Sequence, residues 1–110
     1  MTVEKLVQSL SLEVLSLEDG KREIAGGYCG DLLSWVMGKA RSGNAWITIM
    51  NNLNVIAVAS LTDVSCVIFA ENSEVDEQIV QKGREQGINL LRSGLDAYTL
   101  CARIYNLCHE

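Results

Sequence analysis

The chain has 110 residues, a length that allows one hydrophobic core and leaves no room for a second. A hydrophobic fraction of 48% with 21% charged residues is typical of globular proteins and excludes a disordered or collagen-like chain. The formal net charge is −5, and the nine Lys and Arg residues are scattered along the chain, so we expect no nucleic-acid partner. These features predict a single domain over residues 1–110.

The N-terminal stretch contains no apolar run of signal-peptide length, and no later stretch approaches the ~18 apolar residues that span a bilayer. We therefore expect a cytoplasmic protein with no membrane partner. The sequence contains four cysteines, namely Cys29, Cys66, Cys101 and Cys108. They lie in apolar segments without a CxxC pair, which predicts small buried side chains rather than disulfides.

The first quarter of the chain predicts one helix and two strands. Thr2 is a plausible N-cap for a helix over 3–10, whose apolar residues recur at helical spacing. Alternation of apolar and polar residues predicts a strand over 12–16. A turn over 18–21 then leads into a second strand over 22–25.

A glycine-rich joint follows this second strand. Gly26, Gly27 and Gly30 can take backbone conformations that other residues avoid, so they predict a sharp passage from strand to helix. Asp31 is expected to cap the helix that begins there and runs to residue 37.

This short helix is apolar around much of its circumference. At 100° per residue its apolar side chains cover an arc of about 200°, roughly twice what a helix lying on one sheet face needs. We therefore expect a second surface, in addition to the sheet, to cover this helix. The residues predicted to lie at that interface are Leu32, Leu33, Trp35, Val36 and Met37. Trp46, in contrast, is expected in the core.

The remaining segments predict alternating strands and helices. The run 55–61 fits either a central strand or a buried helix, and helix is preferred because parallel neighbouring strands need a crossover between them. The predicted strands are 45–50, 66–70 and 88–91. The predicted helices are 55–61, a polar helix that opens at Ser73 or Asp76 and runs to residue 86, and 94–107. This order predicts a three-layer α/β fold, with a small, mostly parallel sheet of four or five strands and helices on both faces.

In an open α/β sheet, ligands gather beyond the carboxyl ends of the strands. The residues predicted to meet there are Gly26, Gly27, Gly30, Asp31, Asn51, Asn52, Glu71, Arg92 and Ser93. Arg92 and the glycine amides could contact a small anion, and an asparagine could orient it. The alternative is that these segments are polar only because they are loops.

Residues 25–30 approximate a dinucleotide-binding fingerprint. Asp31, however, places negative charge where a pyrophosphate would lie, and Asn51 and Asn52 stand where an acidic ribose ligand is expected. We therefore do not expect nucleotide binding of the Rossmann kind.

The sequence offers no recognisable catalytic or metal-binding set. Cys101, Cys108 and His109 match no zinc-ligand spacing, so core packing is the preferred interpretation of the two thiols. His109 lies next to the C-terminal residue, and the carboxylate of Asp31 near Cys29 would raise rather than lower the pKa of that thiol. We expect no cofactor, no metal and no enzymatic activity.

Four segments carry a resemblance to a known family: 22–37, 44–49, 58–61 and 88–93. Over nearly its whole length the chain resembles the DRTGG domain in its stand-alone form. The glycine pair at 26 and 27 agrees with the family's name, while Ala25 stands where threonine is expected. A looser similarity connects the chain to the N-terminal domain of HPr kinase/phosphorylase.

The resemblance implies an α/β domain with no established catalysis of its own. Related domains lie between CBS modules in some pyrophosphatases and inside long phosphotransacetylases, where regulation and self-association are the inferred roles. Together with the wide apolar arc, this predicts a regulatory or scaffolding domain that forms a homodimer or binds another protein. The alternative is a sensor that binds a nucleotide or a phosphorylated metabolite at the carboxyl ends of the strands.

Overall fold

Residues 1–109 are described by the computed structural model, in which one five-stranded sheet lies between two layers of helices. The elements in chain order are α1 (Val3–Leu10), β1 (Glu13–Ser16), β2 (Gly27–Cys29), α2 (Leu33–Lys39), β3 (Ala45–Thr48), α3 (Asn54–Thr62), β4 (Cys66–Phe69), α4 (Glu77–Gln86), β5 (Leu90–Arg92) and α5 (Ala97–Cys108). The strand order is β1-β5-β4-β3-β2, and only β1 runs antiparallel to its neighbour. The predicted α/β fold with a mostly parallel sheet is confirmed.

Local signals place most helix ends where the sequence predicts them. The Thr2 hydroxyl accepts a hydrogen bond from the Lys5 amide (3.2 Å) at the start of α1. Gly87 ends α4 with a φ of 70°, the left-handed conformation that glycine adopts at no steric cost. The ambiguous run 55–61 forms most of α3, so its assignment to a helix is confirmed.

The central strands β3 and β4 are buried on both faces, as parallel strands covered by helices must be. On one face, Trp46 and Phe69 pack in a cluster with residues of α2, α3 and α4. On the other face, Ile47 and Ile68 pack with residues of α1 and α5. Trp46 is fully buried, which confirms its expected place in the core.

The predicted second strand over 22–25 is wrong. This segment runs beside the start of α1, where the Ile24 amide donates to the carbonyl of Met1 (2.9 Å), and β2 begins at Gly27. Gly27 pairs with Ala45, the first residue of β3. Gly26 therefore precedes the strand and Gly27 is its first residue, so the glycine pair does not follow a strand.

The helix after the joint begins later than predicted. It starts at Leu33, and Asp31 does not cap it. Instead, the Asp31 carboxylate accepts hydrogen bonds from the Thr48 hydroxyl (2.7 Å) and the Ile49 amide (2.9 Å). Asp31 therefore fixes the connection between β2 and α2 to the end of β3.

The last helix also begins later than predicted, at Ala97 rather than Gly94. Asp96 is its N-cap and accepts a hydrogen bond from the Thr99 amide (2.9 Å). Its buried side chains are Leu100 and Ile104.

We expect two helical glycines to respond in opposite directions to substitution by alanine. A Cβ at Gly83 in α4 would lie 2.5 Å from Cδ1 of the fully buried Leu90, whereas at Gly38 in α2 nothing lies within 4 Å. Gly83→Ala should lower the free energy of unfolding by about 1–2 kcal/mol, because overpacking outweighs the gain in helix propensity. Gly38→Ala should raise it by about 0.5–1 kcal/mol. Urea titration measures both, and equal effects would contradict the close packing of α4 on β5.

Candidate functional site

The carboxyl edge of the sheet collects seven of the nine predicted ligand-site residues. They lie at or after the carboxyl ends of β2, β3, β4 and β5 and are Gly30, Asp31, Asn51, Asn52, Glu71, Arg92 and Ser93. Gly26 and Gly27 lie at the opposite, amino edge, because Gly27 pairs with the first residue of β3. The prediction that they meet Arg92 is therefore wrong, since it depended on a strand that ended at residue 25.

Arg92 is the main cation at this edge, and its guanidinium is already engaged. Its Nε and Nη2 donate to Oε1 of Glu13 at 2.9 and 2.8 Å, and Nη1 donates to the carbonyl of Ser73 at 3.2 Å. The Arg92 side chain also lines a cavity of about 360 Å³ together with Asn72 and Gly94. An anion that entered this cavity would compete with Glu13 for the guanidinium.

The asparagines at this edge stabilise their own loops. Asn51 Nδ2 donates to the carbonyl of Glu74 (2.7 Å), and Asn52 Oδ1 accepts from the amide of Asn54 (2.9 Å). Each side chain therefore has a hydrogen-bond partner within the chain and is not held ready for a ligand.

Glu71 and Ser93 likewise hold the loops that follow β4 and β5. Glu71 Oε2 accepts from the amide of Ala97 (3.3 Å), and Ser93 Oγ accepts from the amide of Leu95 (3.1 Å). Glu71 has a φ of 62°, in the left-handed region that non-glycine residues seldom occupy. These contacts join the carboxyl edge to the start of α5.

The predicted interface residues divide between the surface and the core. Val36 is fully buried in the monomer and Leu33 is half-buried, so Val36 is not available for an interface. The other three remain exposed, with relative accessibilities of 60% for Leu32, 57% for Trp35 and 43% for Met37. We call these three side chains the α2 surface. The Nζ of Lys39 lies 4.2 Å from the centre of the Trp35 ring.

An apolar groove, which sequence reasoning missed, lies between α3 and α4 on the same side of the sheet as α2. It has a volume of about 750 Å³. We call it the α3–α4 groove, and its lining residues include Leu53, Ile56, Ala57, Leu61, Gln81 and Glu85. The relevant signal was the composition of α3, which is apolar around most of its circumference and leaves Leu61 72% exposed.

The thiols differ in exposure. Cys66 is buried as predicted, but Cys29 is exposed on the edge strand β2, so its predicted burial is wrong. Burial raises the pKa of the Cys66 thiol to about 12. Burial and the neighbouring Cys29 thiol raise the pKa of Cys101 to about 12 as well. Both thiols stay protonated at neutral pH and are poor nucleophiles there.

The cavity between β2 and α5 has a volume of about 350 Å³ and is lined in part by Cys29, Cys101 and His109. The His109 ring stacks on Tyr105 with 4.0 Å between ring centres, and its Nδ1 lies 2.8 Å from the Tyr105 carbonyl oxygen. Within residues 1–109, no three His, Cys, Asp or Glu side chains form a group that could hold a metal ion.

Comparison with known proteins agrees with this fold. The DRTGG domain family matches residues 5–107. The chain belongs to the DRTGG domain family. No match is found among curated proteins. Within the described residues, no helix of this DRTGG domain is long and apolar enough to cross a bilayer.

Among solved structures, the domain is similar to the CBS and DRTGG domains of the regulatory region of Clostridium perfringens pyrophosphatase. That structure was determined in complex with the activator diadenosine tetraphosphate. The TM-score is 0.68 at 14% sequence identity, over 92% of this chain and 44% of the other. The present chain thus spans less than half of that structure, and the likeness supports the shared fold.

Proposed function

We propose that this DRTGG domain is a non-catalytic regulatory domain that acts through self-association as a homodimer. The observation that carries the proposal is the α2 surface, three large apolar side chains that a rigid helix holds in water. Fully burying such a side chain is worth ~1.5–3 kcal/mol. At 100° per residue Trp35 and Met37 lie about 160° apart on α2, so a second copy that covers Leu32 and Trp35 would gain several kcal/mol before the cost of association.

A regulatory role is supported by membership of the family, because the related domain in the Clostridium perfringens protein belongs to a regulatory region. The absence of catalysis is supported by the chemistry of the described residues. The Cys66 and Cys101 thiols are protonated at neutral pH, and the guanidinium of Arg92 is paired with Glu13. We also propose a cytoplasmic location, which is inferred from the sequence.

A charge placed on the α2 surface should separate the two copies. We expect the wild-type chain to sediment at twice its monomer mass at micromolar concentration, and Trp35→Asp to sediment as a monomer, because a carboxylate cannot be buried without a partner. Tyr98→Asp is the matched control, since Tyr98 is 87% exposed on α5 at the other face of the sheet. A monomeric wild-type chain, or a Trp35→Asp variant of unchanged mass, would contradict the proposal.

A second candidate function is a sensor for a phosphorylated small molecule at the carboxyl edge. It is favoured by one observation, the cavity of about 360 Å³ that Arg92 lines. Arginine binds phosphate and carboxylate in the same bidentate geometry, so a phosphate could take the place of Glu13. The activator bound in the pyrophosphatase structure suggests nucleotides as the first compounds to test.

If the domain is such a sensor, two variants should change the stabilisation by a nucleotide in opposite directions. A nucleotide at ~100 times its dissociation constant should stabilise the wild-type chain by about 2.7 kcal/mol and raise its melting temperature. Glu13→Gln should strengthen the response, because it removes the competing carboxylate, and Arg92→Gln should abolish it. A thermal-shift series with ATP and diadenosine tetraphosphate measures all three. The sensor function is excluded for these nucleotides if no chain responds, or if Arg92→Gln responds like the wild type.

A further inference from the structure

We propose that the α2 surface of one copy docks into the α3–α4 groove of a second copy, and that the second copy docks in return. This inference rests on the proposed self-association and specifies its geometry. Both parts lie in the same helical layer, since α2 contacts α3 and α3 contacts α4. The chain thus presents an apolar projection and an apolar groove on one face of the sheet.

The base and the α3 wall of the groove offer apolar contacts to the projection, and the α4 wall carries polar side chains such as Gln81 and Glu85. The groove is open along its length between two helices, with Ile56 at its buried base and Ala57 and Leu61 on its α3 wall. A groove of this kind receives a helix whose apolar side chains lie three or four residues apart. Leu32 and Trp35 have that spacing at the exposed side of α2.

The charges of the two parts are complementary. Residues 32–43, which include α2, contain Lys39 and Arg41 and no acidic residue. Residues 74–86, which include α4, contain four acidic residues against two basic ones, and Glu77, Glu85 and Lys82 line the groove. Glu85 lies 3.8 Å from Lys82 and Glu77 lies 3.6 Å from Arg84, so the net negative charge of the segment, and not an unpaired carboxylate, is what a basic partner would meet. Lys39 and Arg41 would therefore meet a surface of opposite sign, which fixes the register of the contact and speeds encounter.

A two-fold axis allows both contacts to form in one dimer. Because α2 and α4 flank α3, rotation about an axis parallel to α3 carries α2 of one copy towards α4 of the other. Each copy then gives one projection and receives one, so the assembly closes as a dimer. A direct contact between two α2 helices would leave both grooves open to water.

Mixing two variants tests this arrangement. Trp35→Asp removes the projection and keeps the groove, whereas Ala57→Arg blocks the groove and keeps the projection. We expect each variant alone to be monomeric and a 1:1 mixture to form heterodimers, because one intact projection meets one intact groove. Each heterodimer should be weaker than the wild-type dimer, because it has one contact instead of two. Native mass spectrometry resolves the heterodimer by mass.

Two controls distinguish the loss of a contact from the loss of the fold. Circular dichroism and urea titration establish that each variant is folded, and Gln81→Arg on the α4 wall replaces Ala57→Arg if that variant unfolds. If the Ala57→Arg variant still dimerises, this inference is overturned, self-association stands, and contact between two α2 helices is favoured. A mixture that stays monomeric also overturns this inference. A monomeric wild type overturns both proposals and assigns the groove to a different partner.

Discussion

A helix of seven residues packed on one face of a sheet can bury one row of side chains, and α2 carries more large apolar side chains than that row holds. Val36 fills the buried position in the cluster that contains Trp46. Leu32, Trp35 and Met37 then have no place in the core. Association with a second molecule is the way these side chains can leave water without a change in the fold.

The position of α2 is fixed by two hydrogen bonds at its start. The indole Nε1 of Trp46 donates to the carbonyl of Gly30 (2.9 Å), and the Thr48 hydroxyl donates to Asp31 (2.7 Å). Both donors belong to β3, which is buried on both faces. The α2 surface is therefore attached to a strand that is buried on both faces, and a fixed position before binding lowers the entropy that binding would cost.

Local patterns in the sequence predicted the parts of the fold that depend on local chemistry. Thr2 and Gly87 mark helix ends because capping involves residues within one turn. The apolar run at 45–50 predicted a strand buried on both faces, and β3 forms over its first four residues. The strand predicted over 22–25 failed for a non-local reason. The partners of that segment are residues near the N-terminus, and no periodicity reports which segment a backbone pairs with.

In the candidate site, too, the local features could be predicted from the sequence and the non-local contacts could not. That Arg92 and Ser93 follow a strand could be predicted from the order of elements, but the partner of Arg92 could not. Glu13 lies 79 positions away and reaches Arg92 because β1 pairs antiparallel with β5. The α3–α4 groove was missed for a related reason, since its walls come from two helices whose distance is set by packing on the sheet.

In the proposed homodimer, self-association covers Trp35. Trp46 is fully buried and Trp35 is 57% exposed, so acrylamide in the monomer quenches mainly Trp35. Quenching should therefore be measured over the protein concentrations at which sedimentation shows the mass to double. We expect the quenched fraction to fall as the dimer forms, both in the wild-type chain and in the Tyr98→Asp control, whose substitution lies on the other face of the sheet. A quenched fraction that stays the same while the wild-type mass doubles would contradict burial of the α2 surface.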